Sequence, residues 1–436
     1  MEHSTLTVSS STEAACQSRD PGGPVANGAL CRFCRTRLEH TFVDLGMSPL
    51  CENYLAAGQL NQMEPFYPLH ARVCASCFLV QLEEYVAPKE IFTEYAYFSS
   101  YSSSWLAHAK AYVDAIVNRL ALGGDSRVVE VASNDGYLLQ YFVERGIPVL
   151  GIEPAANIAQ AARAKGVPTL VRFFGKGAAR ELVAEGRQGD LIIGNNVLAQ
   201  VPDLNDFVAG LRMLLKRDGA ITLEFPHLVR LVEENQLDTI YHEHFSYFSF
   251  TTAKRVLAAH GLRIFHVEEL STHGGSLRVY ACRAESARHG PRGAVDELLN
   301  REQALGLNQL DYYRDFGARA AETKRKLLSF LIDAKRAGRS IVGYGAPGKG
   351  NTMLNYCGVR TDLLDYTVDR NPYKQGKFLP GTHIPIHHPD RIRETRPDYV
   401  LILPWNLRDE IVAQLAYVRE WGGKFVVAIP ETKVLP

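Results

Sequence analysis

Apolar positions along this chain change their period several times, and the changes mark out its elements. Across residues 107–122 they recur at helical spacing, one buried face against one polar face. From Arg127 the pattern becomes a short apolar run, a turn of small and polar residues, a helical stretch and a second apolar run ending at Ile152. Strand, turn, helix and strand in that order predict a parallel α/β sheet. The alternation continues through a strand at 190–194, a helix over 203–216 and a strand over 220–226. Two further runs, 263–270 and 276–283, read as a hairpin closing the sheet. Helical periodicity with mixed surface charge fills 294–305 and 317–338, and a new strand-loop-helix pattern begins at Ser340.

Both ends differ from this core. Residues 1–27 are rich in Ser, Thr, Gly and Pro with few large apolar groups, the composition of a disordered tail. Short apolar runs at 40–46 and 73–86 carry two cysteine pairs and predict a small β-rich module over 28–88. The expected organisation is therefore this module, an α/β domain over 89–285, a helical connection over 286–338 and a second α/β unit over 339–436.

With 436 residues the chain can bury more than one core. Lysine plus arginine match aspartate plus glutamate at 48 each, so no net field steers it to nucleic acid or an anionic membrane. It has no run of apolar residues long enough to span a bilayer and no secretory start, and a soluble cytoplasmic protein is expected. Nothing in the pattern fixes the oligomeric state.

Cys31 and Cys34, and Cys74 and Cys77, form two C-x-x-C pairs. Free thiols or one redox pair are alternatives, but two pairs in one small module fit a structural zinc ion better. Four thiolate ligands leave no open position, so such a metal would hold the module and do no chemistry.

Glu130, Ala132, Asn134 and Gly136 lie on or after the first buried strand of the α/β domain, where small residues let backbone approach a ligand closely. The turn lacks the three glycines of a dinucleotide site. Glu153 and Pro154 follow the second strand, where a carboxylate can accept both hydroxyls of a ribose, and Asn195 and Asn196 end a later strand. This order of segments resembles class I S-adenosylmethionine (SAM) methyltransferases. As in that family, Glu153 is expected at the ribose and the turn from Glu130 to Gly136 along the methionine part.

Residues 238–244, Asp-Thr-Ile-Tyr-His-Glu-His, crowd ionisable groups just after a sheet strand, more proton-handling chemistry than a solvated loop needs. A structural hydrogen-bond cluster, or a metal site of His242 and His244, are the other readings. Near the C-terminus, Gly345, Lys349 and Asn351 belong to a glycine-rich loop between a strand and a helix, the setting of a phosphate cradle. A tight structural turn or a NAD site would use the same pattern.

The four-cysteine module, residues 238–249, the loop at 343–351 and residues 369–386 together resemble the SAM-dependent sugar C-methyltransferases of deoxysugar pathways. The resemblance covers the chain from Leu30 onward. It implies an α/β protein with an N-terminal zinc-binding module, a class I SAM methyltransferase Rossmann-like domain and a C-terminal Rossmann-like domain, with a nucleotide sugar between the last two. It also implies His244 as general base, Tyr241 and Glu243 in support, and a tyrosine near the sugar, Tyr95. Gly345, Lys349, Asn351 and Arg370 are then expected around the diphosphate, with Asn371 and Lys374 as further neighbours, and SAM and zinc as the cofactors. Gln200 departs from the histidine expected in relatives acting on the tetronitrose precursor. An amide cannot exchange a proton near neutral pH, so any acid role held by that histidine in relatives is lost here. An N- or O-methyltransferase, or a sensor that binds SAM without catalysis, are the competing functions.

Overall fold

The computed structural model describes residues 29–92, 98–290 and 293–435; the tail at 1–27 and Tyr95 lie outside them. In chain order the strands are β1 (His40–Ser48), β2 (Tyr67–Val73), β3 (Val80–Leu82), β4 (Val128–Val131), β5 (Val149–Ile152), β6 (Thr169–Leu170), β7 (Gly189–Asn195) and β8 (Leu215–Pro226). They continue with β9 (Ser246–Tyr247), β10 (Leu262–Leu270), β11 (Ser276–Arg283), β12 (Ile341–Tyr344), β13 (Thr367–Val368), β14 (Ile386–His387), β15 (Tyr399–Ile402), β16 (Lys424–Val427) and β17 (Lys433–Leu435).

The central sheet runs β10-β11-β8-β7-β4-β5-β6. Its β8-to-β6 portion is parallel, and β4 is buried at every position, as expected where helices cover both faces. The antiparallel hairpin β10–β11 extends this sheet, joining it through β8. On one face lies the helix Ser103–Leu120, opened by Ser102, whose hydroxyl accepts the Trp105 N–H, and closed at Ala121 in the left-handed region. Its buried residues Trp105, Ala109, Tyr112, Val113, Ile116 and Leu120 form the expected stripe.

A second sheet, β14-β13-β12-β15-β16-β17, is parallel except for β17. Between the sheets the chain forms the long helix Phe316–Arg336. The third sheet, β1-β2-β3-β9, is antiparallel and holds a feature absent from the sequence pattern: its last strand comes from far along the chain, with Val80 opposite Tyr247 and Gln81 opposite Ser246. One apolar cluster joins this sheet to the C-terminal unit, with Phe42, Leu69 and Val80 beside Leu327, Val342 and Leu401, and Phe42 stacks on Phe316 at 4.6 Å. Among the described residues no helix is long and apolar enough to cross a membrane.

Candidate active site

The two cysteine pairs converge. Cys31 Sγ lies 3.6 Å from Cys77 Sγ, Cys34 Sγ lies 3.5 Å from Cys74 Sγ, and all four sulfurs fall within 4.8 Å of one another. A tetrahedral zinc with Zn–S bonds near 2.3 Å sets its sulfurs about 3.8 Å apart, so the four side chains fit that ion. None of these cysteines lines the cleft described next.

A cleft of about 950 Å³ opens where the ends of β4, β5, β7 and β8 face the C-terminal unit, at the upper end of the volumes usual for ligand sites. The turn after β4 is shaped by left-handed backbone at Ala132 (φ 57°), Asn134 (φ 47°) and Gly136 (φ 75°). That curvature aims backbone N–H groups at the Glu153 carboxylate: Asn134 N–H donates to Oε2 at 3.0 Å and Ala155 N–H to Oε1 at 2.9 Å. Burial nevertheless pushes the Glu153 carboxyl up to about 7. Ala132, Asn134, Glu153, Pro154, Asn195 and Asn196 all line the cleft. Glu130 and Gly136 do not. Glu130 is fully buried beneath the turn, and Gly136 packs against Val167, where an added Cβ would sit 3.0 Å from that side chain. The Oδ1 atoms of Asn195 and Asn196 are buried without a hydrogen-bond partner among the described residues, acceptors available to a ligand.

The crowded segment forms the opposite wall. Leu237–Thr239 makes a tight helical turn, and the His244 N–H donates to the Tyr241 carbonyl at 2.9 Å, which brings the two side chains to one side with ring centroids 4.1 Å apart. His244 Nδ1 donates to the Thr239 carbonyl at 2.9 Å. A carbonyl can only accept, so the proton sits on Nδ1 and Nε2 keeps its lone pair. Burial pushes this imidazole down to about 4, so it is neutral at pH 7. Glu243 also lines the cleft and accepts from the Cys51 thiol at 3.6 Å. His242 turns away, its Nε2 3.2 Å from the Pro68 carbonyl, so it shares no metal site with His244.

The C-terminal loop reaches the same cleft. Gly345 adopts φ 87° against Pro404, where a Cβ would approach to 2.6 Å, and the chain then enters the helix Gly348–Cys357. Lys349 lines the cleft, donates to Asn406 Oδ1 at 2.9 Å and lies 4.8 Å over the Trp405 ring, and burial lowers its pKa. Gln200 lines it as well. Gly345, Asn351 and Arg370 do not: Asn351 is buried with its amide donating to the Cys51 carbonyl at 2.5 Å, and Arg370 is exposed.

Against known proteins, the chain is 36% identical over 405 residues to the C-methyltransferase NovU of Streptomyces niveus, covering 93% of this chain and 96% of that one. The chain belongs to the C-methyltransferase family. This C-methyltransferase is a SAM-dependent enzyme, and three family models divide it between them: "Putative zinc binding domain" over 31–92, "Methyltransferase domain" over 105–267 and "C-methyltransferase C-terminal domain" over 271–430. The four-cysteine cluster falls inside the first, which supports zinc as its metal. Among solved structures, magnesium protoporphyrin IX methyltransferase of Synechocystis is 17% identical, covering 41% of this chain and 81% of its own, with a TM-score of 0.31. The 1,6-didemethyltoxoflavin-N1-methyltransferase of Burkholderia thailandensis is 18% identical, covering 41% and 78%, at 0.32. Both likenesses are too slight to bear on function.

Lys374, expected as a neighbour of the diphosphate, lines the cleft, its ammonium donating to the Ala346 carbonyl at 2.9 Å and paired with Glu52 at 3.3 Å. The C-methyltransferase also lines its cleft with residues that the sequence reading did not single out as site residues. His108 is one, 3.0 Å from Glu224, a buried β8 carboxylate that also receives Arg278 at 2.7 Å and the Thr272 hydroxyl at 2.9 Å. Burial alone would raise Glu224, but His108 and Arg278 hold it down at about 2. His273 completes the group, on the turn between β10 and β11. A histidine followed by two glycines was the available signal for that turn.

Proposed function

We propose that this enzyme methylates the carbon beside the ketone of a nucleotide-linked 4-keto-deoxysugar, with C3 as the carbon that takes the methyl group, through an enolate raised by His244. The observation that carries the reading is the His244 tautomer: with Nδ1 committed to Thr239, Nε2 is an unprotonated base on a cleft-lining ring. An acceptor oxygen or nitrogen would need no such group, whereas a carbon beside a ketone must lose a proton before it can attack.

SAM supplies the electrophilic methyl group. Glu153 would hold its ribose, and Ala132, Asn134, Pro154, Asn195 and Asn196 the remainder. His244 Nε2 takes the proton from C3, the electron pair moves onto the ketone oxygen, and the enolate carbon then attacks the methyl. Tyr241, packed against His244, and Glu243 flank that proton transfer. Gln200 can hold a sugar hydroxyl but not act as an acid. Lys349 and Lys374 are the cleft-lining cations on the C-terminal side, where the diphosphate would lie, with Gly345 and Asn351 shaping the loop that carries Lys349. Arg370 would have to turn inward to join. Holding the reactants in line contributes much of the rate.

The test is solvent exchange. With a 4-keto-deoxysugar nucleotide and S-adenosylhomocysteine (SAH) in deuterium oxide, the wild-type enzyme should wash deuterium into the carbon beside the ketone, and His244→Asn should abolish this while binding SAH within a few-fold. NMR of the methylated product should place the new group on carbon. A methyl on oxygen or nitrogen, or wild-type exchange rates in the mutant, would sink the reading.

A further inference from the structure

Removing a proton from carbon leaves negative charge on the ketone oxygen, and enzymes of this kind gain most from a donor already aimed at that oxygen. Gln200 cannot give up a proton there. The cleft offers another group. His273 occupies a left-handed backbone position (φ 54°), rare for a residue with a side chain, and is followed by Gly274 (φ 91°) and Gly275 (φ 114°). The strain is held from both sides: the Gln236 amide donates to the Gly274 carbonyl at 2.6 Å, and a Cβ on Gly274 would lie 2.4 Å from the Trp405 ring. Trp405 itself donates to Asp238 at 2.7 Å and carries Lys349 over its ring, so one indole braces the His273 turn, the segment bearing His244 and the C-terminal loop.

The His273 ring lines the cleft and packs on Trp105 at 4.9 Å. Its Nε2 lies 3.0 Å from Asn196 Nδ2. An amide nitrogen can only donate, so Nε2 accepts and the imidazole proton sits on Nδ1, which makes no hydrogen bond among the described residues. Burial and the nearby Lys349 push this ring down to about 4, which keeps it neutral beside a neutral His244. The two imidazoles thus hold opposite offices at one site, His244 with a free lone pair and His273 with a free N–H.

We propose that His273 is a further catalytic residue, whose Nδ1–H hydrogen-bonds the ketone oxygen of the acceptor as that oxygen takes up the enolate charge. This rests on the enolate reading above. In the step, the C–H bond breaks and its proton goes to His244 Nε2. The electron pair passes to the oxygen, which His273 holds without losing its own proton. The pair then returns to form the new carbon–carbon bond as the methyl leaves sulfur. Asn196 acts as a positioning residue, fixing the tautomer.

The measurement is the same deuterium wash-in, made on His273→Phe, His273→Gln and Asn196→Asp. Phe keeps the ring packing and deletes the donor, and exchange should fall at least 100-fold with SAH affinity within threefold. Gln restores an N–H donor and should recover exchange to within about tenfold of wild type. Asp at 196 accepts instead of donating, draws the proton to Nε2, and should slow exchange nearly as much as Phe. Exchange in His273→Phe within threefold of wild type overturns the proposal, as does equal loss of SAH binding in the Phe and Gln variants, which would make the residue a wall of the SAM pocket. Should Lys349→Met abolish exchange where His273→Phe does not, the oxyanion donor is the lysine. A wild-type enzyme with no exchange at all overturns the enolate reading and this inference together.

Discussion

In the ribose-binding role proposed for it, Glu153 would couple cofactor binding to pH. That role needs its charge to accept two ribose hydroxyls, yet burial holds its carboxyl up to about 7 in the free protein. Binding that favours the carboxylate must expel a proton wherever the free group is protonated, so affinity should rise with pH through 7 and level off above it. Calorimetry of SAH binding at pH 7 in buffers of different ionisation enthalpy should show release of roughly half a proton per site. Glu153→Ala should weaken binding by about 1.5–3 kcal/mol, the scale of charge-assisted hydrogen bonds, and lose the pH dependence. Undiminished affinity would remove Glu153 from the site. At this scale the sequence was legible for which residues reach the cleft where the signal is local: Glu153 follows a strand end and His244 stands in a crowded motif, and both line it. It was not legible for His273, whose role depends on Trp105, Trp405 and Asn196, partners from distant stretches of the chain.

Among elements, strands β4, β5 and β7 and the glycine-rich loop announce themselves by apolar runs and turn residues, and the hairpin β10–β11 by two runs with a short break. Strand β9 does not, because two residues are too short for any period and their pairing with β3 is decided by packing. The zinc sheet therefore ends on a strand contributed by the segment just after His244. Thiolates gathered this closely repel one another unless a cation neutralises them, so the metal should supply much of the module's stability. Denatured protein should release about one zinc per chain, and Cys34→Ser should lower the melting temperature. Metal analysis that finds none would reject zinc.

On the scale of the whole molecule, the cleft has no single owner: the methyltransferase sheet gives one wall, and the C-terminal unit brings Lys349, Lys374 and Asn406 to the other. Binding of the nucleotide should thus be separable from chemistry. A nucleoside diphosphate should compete with the sugar substrate, and Lys349→Ala should raise KM more than it lowers kcat; the opposite split would assign Lys349 to the reacting end. The pairing of β3 with β9 has a consequence for how the protein is made. Roughly 160 residues separate the two strands, so at about 5–20 residues per second a ribosome takes on the order of ten to thirty seconds to deliver the second after the first. During that interval the nascent cysteine module can already capture its metal, yet it shows the cell an unpaired sheet edge, a surface prone to wrong partners until the segment that follows His244 emerges and seals it.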